Sequence, residues 1–584
     1  MARFSRIVIG VIAASAIASA AHAQSGNAAA PAPPAPPPDL IFVNGHIRTA
    51  AGVVDALAIS KGVIVALGDN GAIERLRQPG TRRIDLEGAT MLPGLQDSHL
   101  HPLTGGLAQF ACVLEPGAGA EAIAQTLRAC VAKRKPGEWI QGGDWVAAAF
   151  VPGQQTRAFL DAIAPDNPVF LRDESHHSAW VNSRALTLAG LTRDTPDPAG
   201  GLIERDQAGE PTGLLRERAA GLVSSKIPPP SEQQKREALV LAANQMLSFG
   251  ITGFTDAGAT AEYIGTLAAL SEEGAIKQHA RACLRWAIPQ GEEPSPSEAM
   301  IDTRAFYTRG RLTVDCVKMT LDGVPTESHT AAMLDPYVDS HGHGKPSKGM
   351  LMGRPDVLAA AVTRFDREGL TVKFHAAGDA AVRAALDAVA AARKANGLGG
   401  PLHTLAHATL VDPADVPRVA ALHMAWEFSP YIWYPTPMAA TDIRAAVGDR
   451  RMQRWMPVRE ALATGALVIA GSDWSVVPSL NPWLAIETMV TRQMPGGSAE
   501  MLGEAEAVDL ATAFRIFTEN AAAAVGRRDR VGAIAVGMGA DLIAVERDPF
   551  TIPVTELHAT KVILTLIDGE IVYEAASPPR LSAQ

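Results

Sequence analysis

Few cysteines, few aromatic residues and no long apolar run mark this 584-residue chain. Only 4 cysteines occur, Cys112, Cys130, Cys283 and Cys316, and no Cys-x-x-Cys pair, which excludes a thiolate zinc knuckle. Aromatic residues make up 5% against 47% hydrophobic and 20% charged residues, an ordinary globular balance that excludes a coiled coil, a collagen and a wholly disordered chain. Basic residues number 52 against 62 acidic, a formal charge of −10, and no extended Lys/Arg run is present. A nucleic-acid partner is therefore not expected. Three motifs are also missing: a Gly-x-Ser-x-Gly elbow, a His-Glu-x-x-His helix and a phosphate-binding loop, since Gly344-Lys345 runs into Pro346.

The longest early apolar run, Ile7 to Ala18, is too short for a stable membrane span. Arg3 and Arg6 precede it and Ala21-His22-Ala23 closes it. That is the layout of a secretory signal over 1–23, which implies a periplasmic or secreted protein with no membrane attachment after cleavage. Residues 24–38 are mostly Ala and Pro and read as a stiff linker. In an oxidising compartment Cys112 and Cys130 are close enough in sequence to pair; four buried free thiols are an equal alternative.

From Asp39 onward short apolar runs alternate with turns. Leu40–Val43, Leu57–Ser60 and Val63–Leu67 read as strands, and so do Asp541–Val545, Lys561–Ile567 and Ile571–Tyr573. The two ends, 39–88 and 530–575, are expected to build one composite β-sandwich. Between them, over 89–529, apolar strands alternate with Ala-rich helical stretches, the pattern of a parallel α/β fold. Strand candidates are Thr90–Leu92 running into Gly94-Leu95, then Val169–Leu171, Ile251–Thr255 and Val314–Thr320. They continue with Thr371–His375, His403–His407, Met424–Phe428 and Leu467–Ala470. Eight such units predict a (β/α)8 TIM barrel. The excess length before the fourth strand places an inserted lid subdomain at about 103–240.

Chemistry in such barrels sits at the carboxyl ends of the strands. The first strand ends Gln96-Asp97-Ser98-His99-Leu100-His101, and residues two apart in extended chain face the same way, so His99 and His101 converge. The fourth strand carries Lys318, the fifth ends in His375, the sixth in His407, and the eighth runs into Gly471-Ser472-Asp473. Alone, each has a structural explanation; together they describe a metal site. His403 reads as mid-strand and structural, and His341 and His343 as surface loop residues. Trp426, Trp433, Trp455, Trp474 and Trp483, with Tyr431 and Tyr434, cluster late in the barrel and fit either core packing or an apolar pocket.

The run Met91-Leu92-Pro93-Gly94-Leu95-Gln96-Asp97-Ser98-His99-Leu100-His101 resembles the opening motif of the metal-dependent amidohydrolase superfamily. His177–Ser183, Val317-Lys318 with Asp322-Gly323, His375–Asp379, His407-Ala408, Gly471–Asp473 and Gly539–Leu542 resemble its amidohydrolase-3 branch, which includes formamide deformylase-like enzymes. The resemblance implies His99, His101, His375 and His407 as metal ligands and Asp473 as ligand and catalytic base. It makes Lys318 a position that can be carboxylated to bridge two metals. One or two zinc ions, or another divalent metal, are implied. Leu405-Ala406, ahead of His407, is less polar than usual for the branch. His177 is a candidate contact to the substrate carbonyl, or a structural hydrogen-bonding residue. The expected activity is hydrolysis of a non-peptide C–N amide bond in a small molecule by a metal-activated water. An esterase or lactonase on the same site, or an inactive secreted binding protein, are the competing readings. A homo-oligomer is compatible with the sequence, which does not specify one.

Overall fold

The computed structural model describes residues 36–576, apart from 116–117, 146–149, 151–152, 174–177, 199–200, 218, 290–292, 327–328, 339–346, 437 and 478. The expected signal segment, nearly all of the linker, His177, His341 and His343 therefore lie outside the described residues. The architecture below belongs to the unit Pro37–Gln584.

Eight parallel strands form one sheet in chain order: β1 (Leu95–Leu100), β2 (Ile251–Ala259), β3 (His279–Arg285), β4 (Leu312–Thr320), β5 (Thr371–Ala376), β6 (His403–His407), β7 (Met424–Phe428) and β8 (Leu467–Ala470). All nine residues of β2 are buried, as expected for a parallel strand covered on both faces. Helices cover the outside. The helix Asp379–Asn396 buries Ala381, Val382, Ala385, Leu386, Val389 and Ala392, and packs against the helix Pro355–Arg367. Another, Glu232–Ser248, starts at a reciprocal Ser231/Gln234 cap that satisfies its first free amides. The sheet closes past the ends of its outer strands: Leu100 bridges Trp474, and the Asp473 amide donates to the His99 carbonyl at 2.7 Å. Gly471 permits this approach, because a Cβ there would stand 2.3 Å from the His99 amide nitrogen. This is the expected TIM-barrel class.

Two of the expected barrel strands fall elsewhere. Val169–Asp173 pairs antiparallel with Ser178–Val181 in a separate six-stranded sheet, and the third barrel place belongs to His279–Arg285. A short apolar run such as Val169-Phe170-Leu171 carries no mark of which sheet it enters. The true β3, His-Ala-Arg-Ala-Cys-Leu-Arg, is interrupted by charge: Arg281 donates to Asp315 at 2.6 Å, and Arg285 is exposed at its carboxyl end. Thr90–Pro93 also leaves the barrel, pairing with Leu542–Val545 and with His46–Thr49, and the chain passes into β1 at Gly94.

The separate six-stranded sheet spans Cys112–Glu217 and is inserted between β1 and β2. A Cys112–Cys130 disulfide ties its edge strand to the helix Ala120–Val131. A second disulfide, Cys283–Cys316, joins β3 to β4 at paired positions. The composite sandwich combines a sheet of N-terminal strands (Val63–Gly68, Ala56–Ser60, Leu40–Val43, Arg82–Asp85) with a sheet mixing both termini. Leu40, Phe42, Leu57, Ile59, Met91, Leu542, Leu564 and Leu566 fill the core between them.

Candidate metal centre

Side chains from five barrel strand ends converge at the carboxyl face. His99, in β1, is 1% exposed. Its Nδ1 lies 2.5 Å from Glu427 Oε1 of β7. The carboxylate makes Nδ1 the protonated nitrogen and leaves the Nε2 lone pair facing the barrel axis. Glu427 is held in turn by Lys373 of β5, which also donates to the Ser98 carbonyl at 3.0 Å. Around His99 Nε2 stand Lys318 Nζ at 3.1 Å and Asp473 Oδ1 at 3.4 Å. The same Asp473 oxygen is 3.3 Å from His101 Nε2. One donor atom from each of His99, His101 and Asp473 fits within 4.8 Å of the other two.

A second group adjoins the first. The His407 ring centroid is 4.8 Å from that of His99 and 4.5 Å from that of His375. His407 Nδ1 is 3.8 Å from Asp473 Oδ2 and 3.2 Å from Ser429 Oγ. His375 donates Nδ1 to Asp322 at 3.1 Å, and three backbone amides, of Ala332, Ala377 and Gly378, hold that carboxylate in place. His407 and Asp473 have φ of 71° and 58°, a left-handed conformation that is costly for residues with a Cβ. The chain accepts this cost at two of the side chains that converge here.

Burial dominates the electrostatics. It drives the His99 imidazole well below its ordinary pKa, with the Lys318 charge acting the same way. Burial also lowers His407, reinforced by His375 and Lys318. Lys318 is brought down to about 7, chiefly by desolvation and then by Lys373, against the pull of Glu427 and Asp473. Neutral imidazoles and a partly neutral amine are the forms that offer lone pairs to a cation. Donor identity and convergence thus fit a divalent metal, with His99, His101 and Asp473 around one position, Lys318 beside His99, and His375 and His407 adjoining them.

The model of the amidohydrolase family matches residues 82–573. The chain belongs to the amidohydrolase family. The putative amidohydrolase YtcJ of Bacillus subtilis is 29% identical over 540 residues, covering 89% of this chain and 96% of that protein. The N-substituted formamide deformylase of Arthrobacter pascens is 28% identical over 547 residues, covering 92% and 98%. Among solved structures, an uncharacterized metal-dependent hydrolase from Pyrococcus furiosus superposes with a TM-score of 0.70 at 25% identity, over 88% of this amidohydrolase and all of that chain.

The structure thus gathers His99, His101, Lys318, His375, His407 and Asp473, the residues singled out from the sequence, while His177 lies outside the described residues. Glu427, Lys373 and Asp322 were not read as site residues. Glu427 sits in Met-Ala-Trp-Glu-Phe, a carboxylate in an otherwise apolar strand, which was the one available signal. The tryptophan cluster resolves into packing: Trp426, Trp433, Trp455 and Trp483 are fully buried in the main core. His403 is structural, accepting from the Val372 amide and facing Asp366.

Proposed function

We propose that the protein is an exported metal-dependent hydrolase that cleaves a non-peptide C–N bond of a small molecule with water. The observation that carries this reading is the placement of Asp473, whose one carboxylate faces His99, His101 and His407 at 3.3–3.8 Å. His99, His101, His375 and His407 would hold the metal, with Asp473 and Lys318 completing its ligands. Imidazole and carboxylate donors suit zinc, in one or two ions. A divalent metal bound there supplies Lewis acidity, which lowers the pKa of water to about 7 and polarises a carbonyl.

The chain's own groups account for the remaining steps. Asp473 is placed to take the proton of the attacking water and return it to the departing amine, so the C–N bond breaks and a neutral amine leaves. Glu427 and Asp322 orient His99 and His375 so that Nε2 faces inward. Lys318, in its neutral form, would be able to add CO2 with loss of a proton, and the carbamate would offer oxygen ligands to the metal. The relative named as a deformylase of N-substituted formamides supports a C–N substrate. The N-terminal signal pattern and two disulfides with no free cysteine support export to a periplasmic or secreted location. The test is hydrolysis of N-substituted formamides beside their matching formate esters by protein of measured metal content. The reading expects metal-dependent amide cleavage; ester cleavage alone would replace it with an esterase.

A further inference from the structure

Arg285 ends β3 directly opposite Lys318 of β4 and is exposed. Its guanidinium makes no hydrogen bond or ion pair with any described residue, and the neighbouring carboxylate, Asp256, is engaged instead by the Tyr263 hydroxyl at 2.8 Å. Gly258 of β2 separates Arg285 from His101. A Cβ on Gly258 would stand 3.5 Å from Arg285 Nη2 and 3.7 Å from His101 Cε1, so both groups border space left by the missing side chain. The Arg285 charge is felt at Asp256 and at Lys318, where it works against protonation. A guanidinium with no partner among the described residues therefore borders the candidate metal centre, in a protein whose overall charge is −10.

Resting on the hydrolase reading and narrowing it, we propose that Arg285 is a specificity-determining residue that binds a carboxylate on the substrate. The planar fork of a guanidinium matches the two oxygens of a carboxylate, and a cationic rim in an acidic protein draws anions toward the site. The substrate class is then an N-acyl amino acid or a similar N-acyl carboxylate. The C–N bond would lie over the His99/His101/Asp473 group while the carboxylate engages Arg285 beyond Gly258. This bond cleavage consumes one water and yields a carboxylic acid and an amino acid.

The probes are N-formyl and N-acetyl derivatives of alanine and phenylalanine, each as the free carboxylate and as the uncharged carboxamide. Hydrolysis by the metal-loaded protein and calorimetric binding of the same probes are both measured, for wild type, Arg285→Gln and Arg285→Lys. Wild type is expected to prefer a carboxylate by about 10- to 100-fold in kcat/KM and in affinity, the range for a hydrogen-bonded charge. Arg285→Gln should bring that ratio close to one through KM, Arg285→Lys should keep part of it, and added salt should erode it. A merely structural arginine would move both probe series together. Equal use and equal binding of carboxylate and carboxamide by wild type, or a ratio unchanged in Arg285→Gln, would overturn the assignment while leaving the hydrolase reading intact. Binding of neither series would overturn it as well. Carboxylate binding through Arg285 without hydrolysis of any probe would uphold it and remove the hydrolase reading.

Discussion

Asp473 is tied to His99 twice: its amide donates to the His99 carbonyl at 2.7 Å, and its carboxylate lies 3.4 Å from His99 Nε2. The backbone link that closes the barrel thus also aims the candidate base at the first candidate ligand. Asp473→Asn keeps the shape and removes the proton acceptor. Turnover should fall by about 10²- to 10⁴-fold, as for loss of a general base, with metal content largely retained. Steady-state kinetics with elemental analysis checks this; wild-type rates would take Asp473 out of the chemistry.

Glu427 supports His99 from below and pairs with buried Lys373. Burial pushes Glu427 up and Lys373 down, so each depends on the other to stay charged. Glu427→Gln should weaken metal binding by about 10- to 100-fold, as is usual for loss of a ligand's hydrogen-bonding partner. It should also cost about 3–5 kcal/mol by leaving Lys373 buried without its counter-ion. Metal titration and denaturant unfolding read the two effects separately. A double variant, Glu427→Gln with Lys373→Met, should recover stability but not metal affinity.

Gly471 carries the close approach of the chain after β8 to β1. A Cβ there would lie 2.3 Å from the His99 amide nitrogen and 2.4 Å from the His99 Cβ. Gly471→Ala should destabilise by about 1–3 kcal/mol, the usual cost of overpacking, and lower metal affinity because His99 must shift. Thermal unfolding of the two proteins, each with and without added zinc, measures both. An unchanged melting temperature would mean that the closure is looser than described.

The Cys112–Cys130 bond closes a loop with a sequence separation of 18. Replacing both cysteines by alanine should lower stability by about 2–4 kcal/mol, mostly through a less constrained unfolded chain. Urea unfolding of the double variant beside wild type, both without reductant, gives this number. Mass analysis under the same conditions should find no free thiol in wild type.

His403 is held at about 4 by burial and by the Arg393 charge, with Asp366 opposing. The unfolded imidazole, near 6.5, takes up a proton that the folded one refuses. Between about pH 6.5 and pH 4 the unfolded state therefore binds more protons, and this group makes stability fall as pH falls. Urea midpoints across that range should decline in wild type and less steeply in His403→Gln.

Much of the site was legible because its residues sit at strand ends that the sequence marks with turns. The His-x-His pair, Lys318, His375, His407 and Asp473 each follow an apolar run, and strand period alone puts His99 and His101 on one face. The inner support was not legible. Glu427 and Lys373 meet across the barrel at a separation of 54 residues, a relation that no local pattern carries. The third strand was hidden by its own arginines, Arg281 and Arg285, whereas Val169–Leu171 imitated a barrel strand because burial in any sheet selects the same residues. The tryptophans were ambiguous since a core and a pocket call for the same side chains; full burial of four of them decides for the core.

The central claim is most directly tested by diffraction from crystals of the zinc-loaded protein, with anomalous data collected on both sides of the zinc edge. The account predicts a strong edge-dependent peak within bonding distance of His99 Nε2, His101 Nε2 and an Asp473 oxygen. Clear density for those three side chains with no such peak among them, or imidazoles turned away from one another, would contradict it.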